Sequence, residues 1–258
     1  DLEVEIPSWR PDIFGQIDLV EEVIRIKGFD KINSIKPEKE RIKATLNYIQ
    51  RHFHLAQRSV ASKGYLEAIT WSFTDERINK FFLANNKPIK LVNPISSDLN
   101  VLRNSIYPNL IYYLKKNIDR GFQNFSLFEI GPSFDGKEPG QQKTVVCGVK
   151  TGNVNEKNWN EQNRFIDVFD IKKDVMQTLS ELGLERDDIF IDDKTPQYYH
   201  PGKSGVIFSK KDQKNILAYF GELHPNILKE LDIKTNAIQG FEIYLDNLVK
   251  YKSKNKKT

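Results

Sequence analysis

Apolar and charged residues alternate through DLEVEI, residues 1–6, with the period of a half-buried strand. PSWRP ends that pattern, because Pro7 and Pro11 fix the backbone and withhold donors. The period then changes to that of a helix: Leu19, Val20, Val23, Ile24 and Ile26 predict a helix over 18–27 with these residues toward a core, closed by Gly28. The polar run SIKPEKER, 34–41, marks a domain boundary. Beyond it Leu46, Ile49, Phe53, Ala56, Val60 and Ala61 recur by threes and fours, predicting a helix from Pro37 or Lys43 to Lys63 that stops at Gly64.

The rest of the chain alternates strand and helix signals irregularly. YLEAITWSF, IKLVNP, FQNFSLFEIGPSF, QKTVVCGVKTG, GKSGVIFS, NILAYFGEL and IQGFEIYLDNL read as strands, rich in β-branched and aromatic residues. Helices are expected after Pro108, over 166–183 and, briefly, at HPNILKEL. Without regular βαβ spacing this order predicts an α+β fold with a mostly antiparallel sheet.

Composition narrows the function classes. No apolar run approaches the roughly 20 residues that span a bilayer. A single cysteine, Cys147, rules out an intrachain disulfide and suits a reducing cytoplasm. The net charge of +4 comes from the tail KYKSKNKKT; without its five lysines, 34 cationic residues face 35 anionic ones. A nearly neutral body argues against a large nucleic-acid-binding face. The first residues carry no Met, basic segment or apolar stretch, so the chain reads as a piece of a longer protein.

Candidate chemistry gathers at the first helix. Asp12, Asp18, Glu21 and Glu22 surround its first turn. One interpretation is capping: Asp18 as N-cap, Glu21 reaching back, and Glu21 paired with Arg25 four residues on. The other is binding. Asp18, Glu21 and Glu22 share one face, and an all-carboxylate cluster suits a hard cation such as Mg²⁺, which takes one or two such groups and keeps waters. Spacing alone leaves both open. His52 and His54 point to different faces of one helix, while His200 and His224 each precede a proline, so structural hydrogen bonds are expected of all four. HPGKSG lacks the spacing of a phosphate-binding loop.

Taken together and in order, RPDI, DLVEEVIRIKGFDKI, NPISSDLNVLRNSIYPNLI, FEIGPSF, HPGKSG and GELHP resemble the β subunit of bacterial phenylalanyl-tRNA synthetase over residues 3–248. The resemblance implies three parts. Residues 1–36 would be the C-terminal half of a winged-helix-like domain, and 37–249 a class II aminoacyl-tRNA synthetase-like core with an antiparallel sheet flanked by helices. Residues 250–258 would be a basic disordered tail. It also implies that Asp12, Asp18, Glu21 and Glu22 hold a Mg²⁺ shared with the catalytic α subunit of an (αβ)2 heterotetramer in the cytoplasm, although the first half of that domain is missing here. The α subunit makes Phe-tRNA from phenylalanine, ATP and tRNA; tRNA(Phe) is engaged through the full-length complex.

No catalytic residue is implied for this chain. In the family's active relatives an Arg two positions before the second motif's Glu clamps the ATP α-phosphate; with Glu129 as that Glu, Leu127 stands at the Arg position. GFEIYLDNLVK, where a second ATP-binding Arg would fall, offers Asp246 and Asn247. Residues 43–63 and 93–108 are implied to pack against the α subunit. The alternatives are a free-standing synthetase-core paralogue that binds a small molecule, and a nucleic-acid-binding module.

Overall fold

The computed structural model describes residues 3–36, 46–83, 87–156, 158–160, 162–212 and 215–248. The expected start of the long helix within 37–45 and the expected tail, 250–258, lie outside them. Contacts divide the chain into two units, residues 1–45 and 46–258.

In the first unit Gln16–Lys27 forms α1, with Gly15 as N-cap and Gly28 at φ 94° closing it. The helix starts two residues before the expected Asp18, which is therefore N3. No residue of α1 is buried: Leu19 and Ile24 are half-buried, whereas Val20, Val23 and Ile26, expected toward a core, are exposed. A unit this small has little to fold over an apolar face. Residues 3–6 form no strand among the described residues; a strand needs a hydrogen-bonded neighbour, and none is described beside them.

The second unit opens with α2, Tyr48–Ala61, whose N-cap Asn47 exchanges side-chain and backbone hydrogen bonds with Gln50 at 2.9 and 3.0 Å. Then follow β1 (Leu66–Glu67), β2 (Phe73–Thr74), α3 (Glu76–Asn79), β3 (Ile89–Lys90), β4 (Val101–Leu102) and α4 (Tyr107–Ile118). The remainder is β5 (Phe125–Phe134), β6 (Gln142–Thr151), α5 (Val168–Glu181), β7 (Ile189–Asp192), β8 (Tyr199–Ser209), β9 (Ile216–Leu223), α6 (Pro225–Glu230), β10 (Ile238–Tyr244) and α7 (Leu245–Leu248). The large sheet runs β1-β5-β6-β10-β9-β8-β7, antiparallel except for the parallel pair β1–β5. The α+β architecture is as the sequence predicts.

YLEAITWSF is not one strand. Its start pairs with β5 and its end joins a second sheet, β2-β4-β3. Between them Arg103 draws the segment away, donating to Thr70 Oγ1 at 2.9 Å and to the Trp71 carbonyl at 3.4 Å. β4 and β7 had no place among the expected strands.

Alternation along the central strands divides the core. On one face Val146, Phe241, Ile243 and Leu217 pack with Val60 of α2 and Ile171, Val175 and Leu179 of α5. On the other, Leu127, Val145, Cys147 and Val149 pack with Tyr107, Leu110, Ile111 and Leu114 of α4. Each large aliphatic side chain so enclosed contributes roughly 1.5–3 kcal/mol of burial free energy.

Candidate functional site

Asp12, Asp18, Glu21 and Glu22 meet different fates around the first turn of α1. The turn after Pro7, closed by the Arg10 amide on the Pro7 carbonyl at 3.0 Å, brings Arg10 over the helix. Its Nε donates to Asp12 Oδ1 at 3.0 Å, and its Nη2 to Asp12 Oδ2 at 2.7 Å and to Glu22 Oε1 at 2.6 Å. Arg25 closes on the other oxygen of Glu22. Asp18 Oδ2 accepts the amides of Phe14 and Gly15, both at 2.8 Å. Glu21 is exposed and pairs with none of the described residues.

These contacts correct the capping assignments. Asp18 is the acid that reaches back from N3 rather than the cap itself, since the helix begins earlier. Glu21 reaches back to nothing, and the ion pair to Arg25 is made by Glu22 at i,i+3. The three acids that take part are all held ionised. Hydrogen bonds from Arg10, then Arg25, pull the Glu22 carboxyl down to about 2. Arg10 lowers Asp12, and the Phe14 and Gly15 amides lower Asp18. The donor set is all oxygen and suits Mg²⁺ in kind. Its spacing is that of carboxylates closed on a guanidinium: among the described residues no three His, Cys, Asp or Glu side chains gather closely enough to hold a metal ion.

The second candidate is the α4 face of the large sheet, where Glu129 stands on β5. Register places Glu129, Cys147, Glu242 and Tyr219 in one row across four strands. Glu129 is buried and paired with buried Arg103 at 2.8 Å, while its second oxygen accepts Thr70 Oγ1 at 2.7 Å. Glu242 accepts Ser105 Oγ at 2.6 Å and the Tyr198 hydroxyl at 2.8 Å. Burial pushes its carboxyl, the Cys147 thiol and the Tyr107, Tyr198 and Tyr199 phenols upward. The Tyr107 and Tyr199 hydroxyls meet at 2.6 Å, and a Cβ at Gly240 would fall 2.7 Å from the Tyr107 hydroxyl. Leu127, two residues before Glu129 on the same face, is buried in this cluster. A face so filled is a packed core.

The histidines make the structural bonds expected of them. His52 Nδ1 lies 3.1 Å from the Tyr48 carbonyl and His54 Nδ1 3.2 Å from Gln57. His200 accepts from the Gly202 amide at 3.1 Å, and His224 caps α6 through the Asn226 amide at 3.2 Å. HPGKSG lies within β8. Beside the small sheet a groove of about 910 Å³ is walled by Trp71, Phe81, Tyr112 and Leu231, and Ile69, Val92 and Ile95 stand exposed on the same connections between strands. Among the described residues no helix is long and apolar enough to cross a membrane.

Comparison with known proteins supplies the context for these sites. Residues 32–245 match the model of the phenylalanyl tRNA synthetase beta chain CLM domain, and residues 1–29 that of the tRNA synthetase B5 domain. The phenylalanine–tRNA ligase beta subunit of Paramagnetospirillum magneticum is 41% identical over 254 residues, 98% of this chain and 31% of the relative. That of Rhodospirillum rubrum is 40% identical over 258 residues, 100% of this chain and 32% of the relative. The chain thus spans about a third of the length of the curated relatives it matches. Among solved structures, the pyrrolysyl-tRNA synthetase PylSc of Desulfitobacterium hafniense superposes with a TM-score of 0.57 at 13% identity, covering 78% of this chain and 68% of that one. This likeness is one of fold, and it agrees with the expected class II synthetase-like core.

Proposed function

The chain belongs to the phenylalanyl-tRNA synthetase β-chain family, and from that membership we propose that it is the non-catalytic core of a β subunit of phenylalanine–tRNA ligase. In this role it supports an α subunit that makes Phe-tRNA from phenylalanine, ATP and tRNA. The assembly is an (αβ)2 heterotetramer in the cytoplasm, and tRNA(Phe) is met through the full-length complex. Residues 1–36 are the C-terminal half of a winged-helix-like domain, 37–249 the core and 250–258 a basic tail.

The observation that carries the non-catalytic role is the filled face around Leu127. A phosphate clamp needs a free cation. Here Leu127 is buried, and the nearby Arg103 is spent on Glu129, Thr70 and the Pro132 carbonyl. Tyr107, Tyr198 and Tyr199 occupy the volume above the strands. Exposed Ile69, Trp71, Val92 and Ile95, on the connections between the short strands, support a docking role there, because exposed apolar patches are characteristic of interfaces.

Asp12, Asp18, Glu21 and Glu22 are the residues of this chain that would hold the Mg²⁺ shared with the α subunit. When bound, the ion would neutralise the charge of these carboxylates. Size-exclusion chromatography with light scattering tests the assembly, with and without the α subunit of the same enzyme, in Mg²⁺ and then in EDTA. Co-elution at the mass of a mixed complex is expected. A folded chain that elutes alone in both buffers would overturn the supporting role.

A further inference from the structure

We propose that the groove beside the small sheet binds a free, neutral, aromatic small molecule carrying an N–H donor, with Asn109 Oδ1 as the acceptor that reads it. The inference is independent of the subunit role given above.

The walls stand on elements that the core fixes. Leu110, Ile111 and Leu114 hold α4 against the large sheet, while Tyr112 and Tyr113 of the same helix remain partly exposed, their rings 5.2 Å apart and nearly perpendicular. Trp71, on the connection between β1 and β2, faces them with 61% of its surface open, and Phe81 and Leu231 complete the walls. A volume of about 910 Å³ is that of a site for a whole small molecule rather than for one inserted side chain. Aromatic walls with few polar groups are the usual chemistry of such sites, and a flat ring stacks on them favourably.

Asn109 supplies the polar group. It lines the groove, is 7% exposed, and donates through Nδ2 to the Trp71 and Phe73 carbonyls at 3.0 and 3.1 Å. Two carbonyls on one side of the amide settle which atom is the nitrogen. Oδ1 is left enclosed and without a partner among the described residues. A buried acceptor is nearly always satisfied, so what this one lacks is a donor. It is closed to free water, and only a donor pressed directly against it meets it. A ring N–H suits it better than a hydroxyl, whose own lone pairs would need partners among apolar walls. The rim selects no net charge, since four of the lining side chains are cationic and four anionic. Asp75 pairs with Arg77 at 2.6 Å and Lys115 with Asp119 at 3.5 Å, while Lys80 and Lys116 lie over the Phe81 and Tyr112 rings. A charged ligand would disturb that balance, and a neutral one leaves it in place.

Indole is the probe, compared with benzofuran, which keeps the shape and carries a ring oxygen in place of the N–H. The 258-residue chain, without any α subunit, is titrated with each, and the bound fraction is read by ligand-observed saturation-transfer NMR. Indole is expected to bind roughly tenfold more tightly, the size of one hydrogen bond to a buried acceptor. Trp71→Ala, at an exposed position, should lose most of that binding with the circular dichroism spectrum unchanged. A second readout needs no variant: intermolecular Overhauser effects from bound indole should reach the Tyr112 ring and the Leu231 methyls. Absence of binding, equal binding of indole and benzofuran, or indole contacts that omit Tyr112 and Leu231 and persist in Trp71→Ala would each overturn the proposal. None of these outcomes bears on the subunit role, which the chromatography tests separately.

Discussion

Arg10 and Arg103 both close on carboxylates, the first in solvent on the small unit, the second inside the large one. Arg103 and Glu129 are almost fully enclosed, at 1% and 5% side-chain exposure, and Thr70 and the Trp71 and Pro132 carbonyls take further hydrogen bonds of the pair. Arg10 faces Asp12 with 59% of that side chain open to water. Low dielectric makes the inner pair rigid and costly to break, whereas screening makes the outer one exchangeable. The same two functional groups thus serve as buried architecture in one place and as a solvent-exposed clamp in the other.

Breaking the inner pair is expected to have the largest effect. Arg103→Met leaves Glu129 charged and unpaired in the core, which costs about 3–5 kcal/mol. Urea unfolding followed by circular dichroism reads this as a lower midpoint with the slope preserved. Arg103→Met combined with Glu129→Leu should recover most of the loss, because no buried charge then remains. If the single and double variants unfold together, the pair is not what holds Thr70 and β5 in place.

A second effect belongs to Glu242, in the same row as Glu129 but without a cation beside it. Burial raises its carboxyl above 4.5, so the folded chain keeps the proton longer than the unfolded one does. Stability from this residue is therefore full below about pH 4.5 and declines as pH rises through the raised value. Glu242→Gln is uncharged at every pH and should flatten that decline. Parallel pH–stability curves for the two chains would show that Ser105 and Tyr198 carry the charge without penalty.

What could be read from the sequence follows the range of the interactions. Phe, Leu and Ile in β5, Val in β6 and Ile and Phe in β10 declare their strands, because strand propensity is a local signal. Gly28, Gly64 and Gly183 mark helix ends because each takes a positive φ that other residues avoid. β4, two residues long, carries too little period to detect. The start of α1 was misplaced because Asp18 looks like a cap, whereas Gly15, the actual cap, carries no side-chain signal. Leu127 could be found by counting from Glu129. Arg103 could not, since its partner lies 26 residues away across a fold, and Arg10 was missed because its reach to Glu22 spans 12. The run RPD, with a proline fixing Arg next to Asp, was the available hint.

The smallest effect is the one that separates the two arginines most directly. Glu22 has its carboxyl drawn from 4.5 to about 2 by Arg10 and then Arg25. Its unfolded form binds the proton first, so the contribution of these pairs is present above about pH 4.5 and lost as pH falls toward 2. At roughly 1 M salt the Debye length contracts to about 3 Å, and an exposed pair is largely screened. A carbon-13 titration of the Glu22 carboxyl should therefore show a midpoint near 2 at low salt that climbs toward 4.5 in high salt and in Arg10→Gln. The urea midpoint of the large unit should not follow it. A midpoint unmoved by salt and by Arg10→Gln would mean that Glu22 owes its acidity to something other than a solvent-exposed clamp, and the contrast with Glu129 would lose its physical basis.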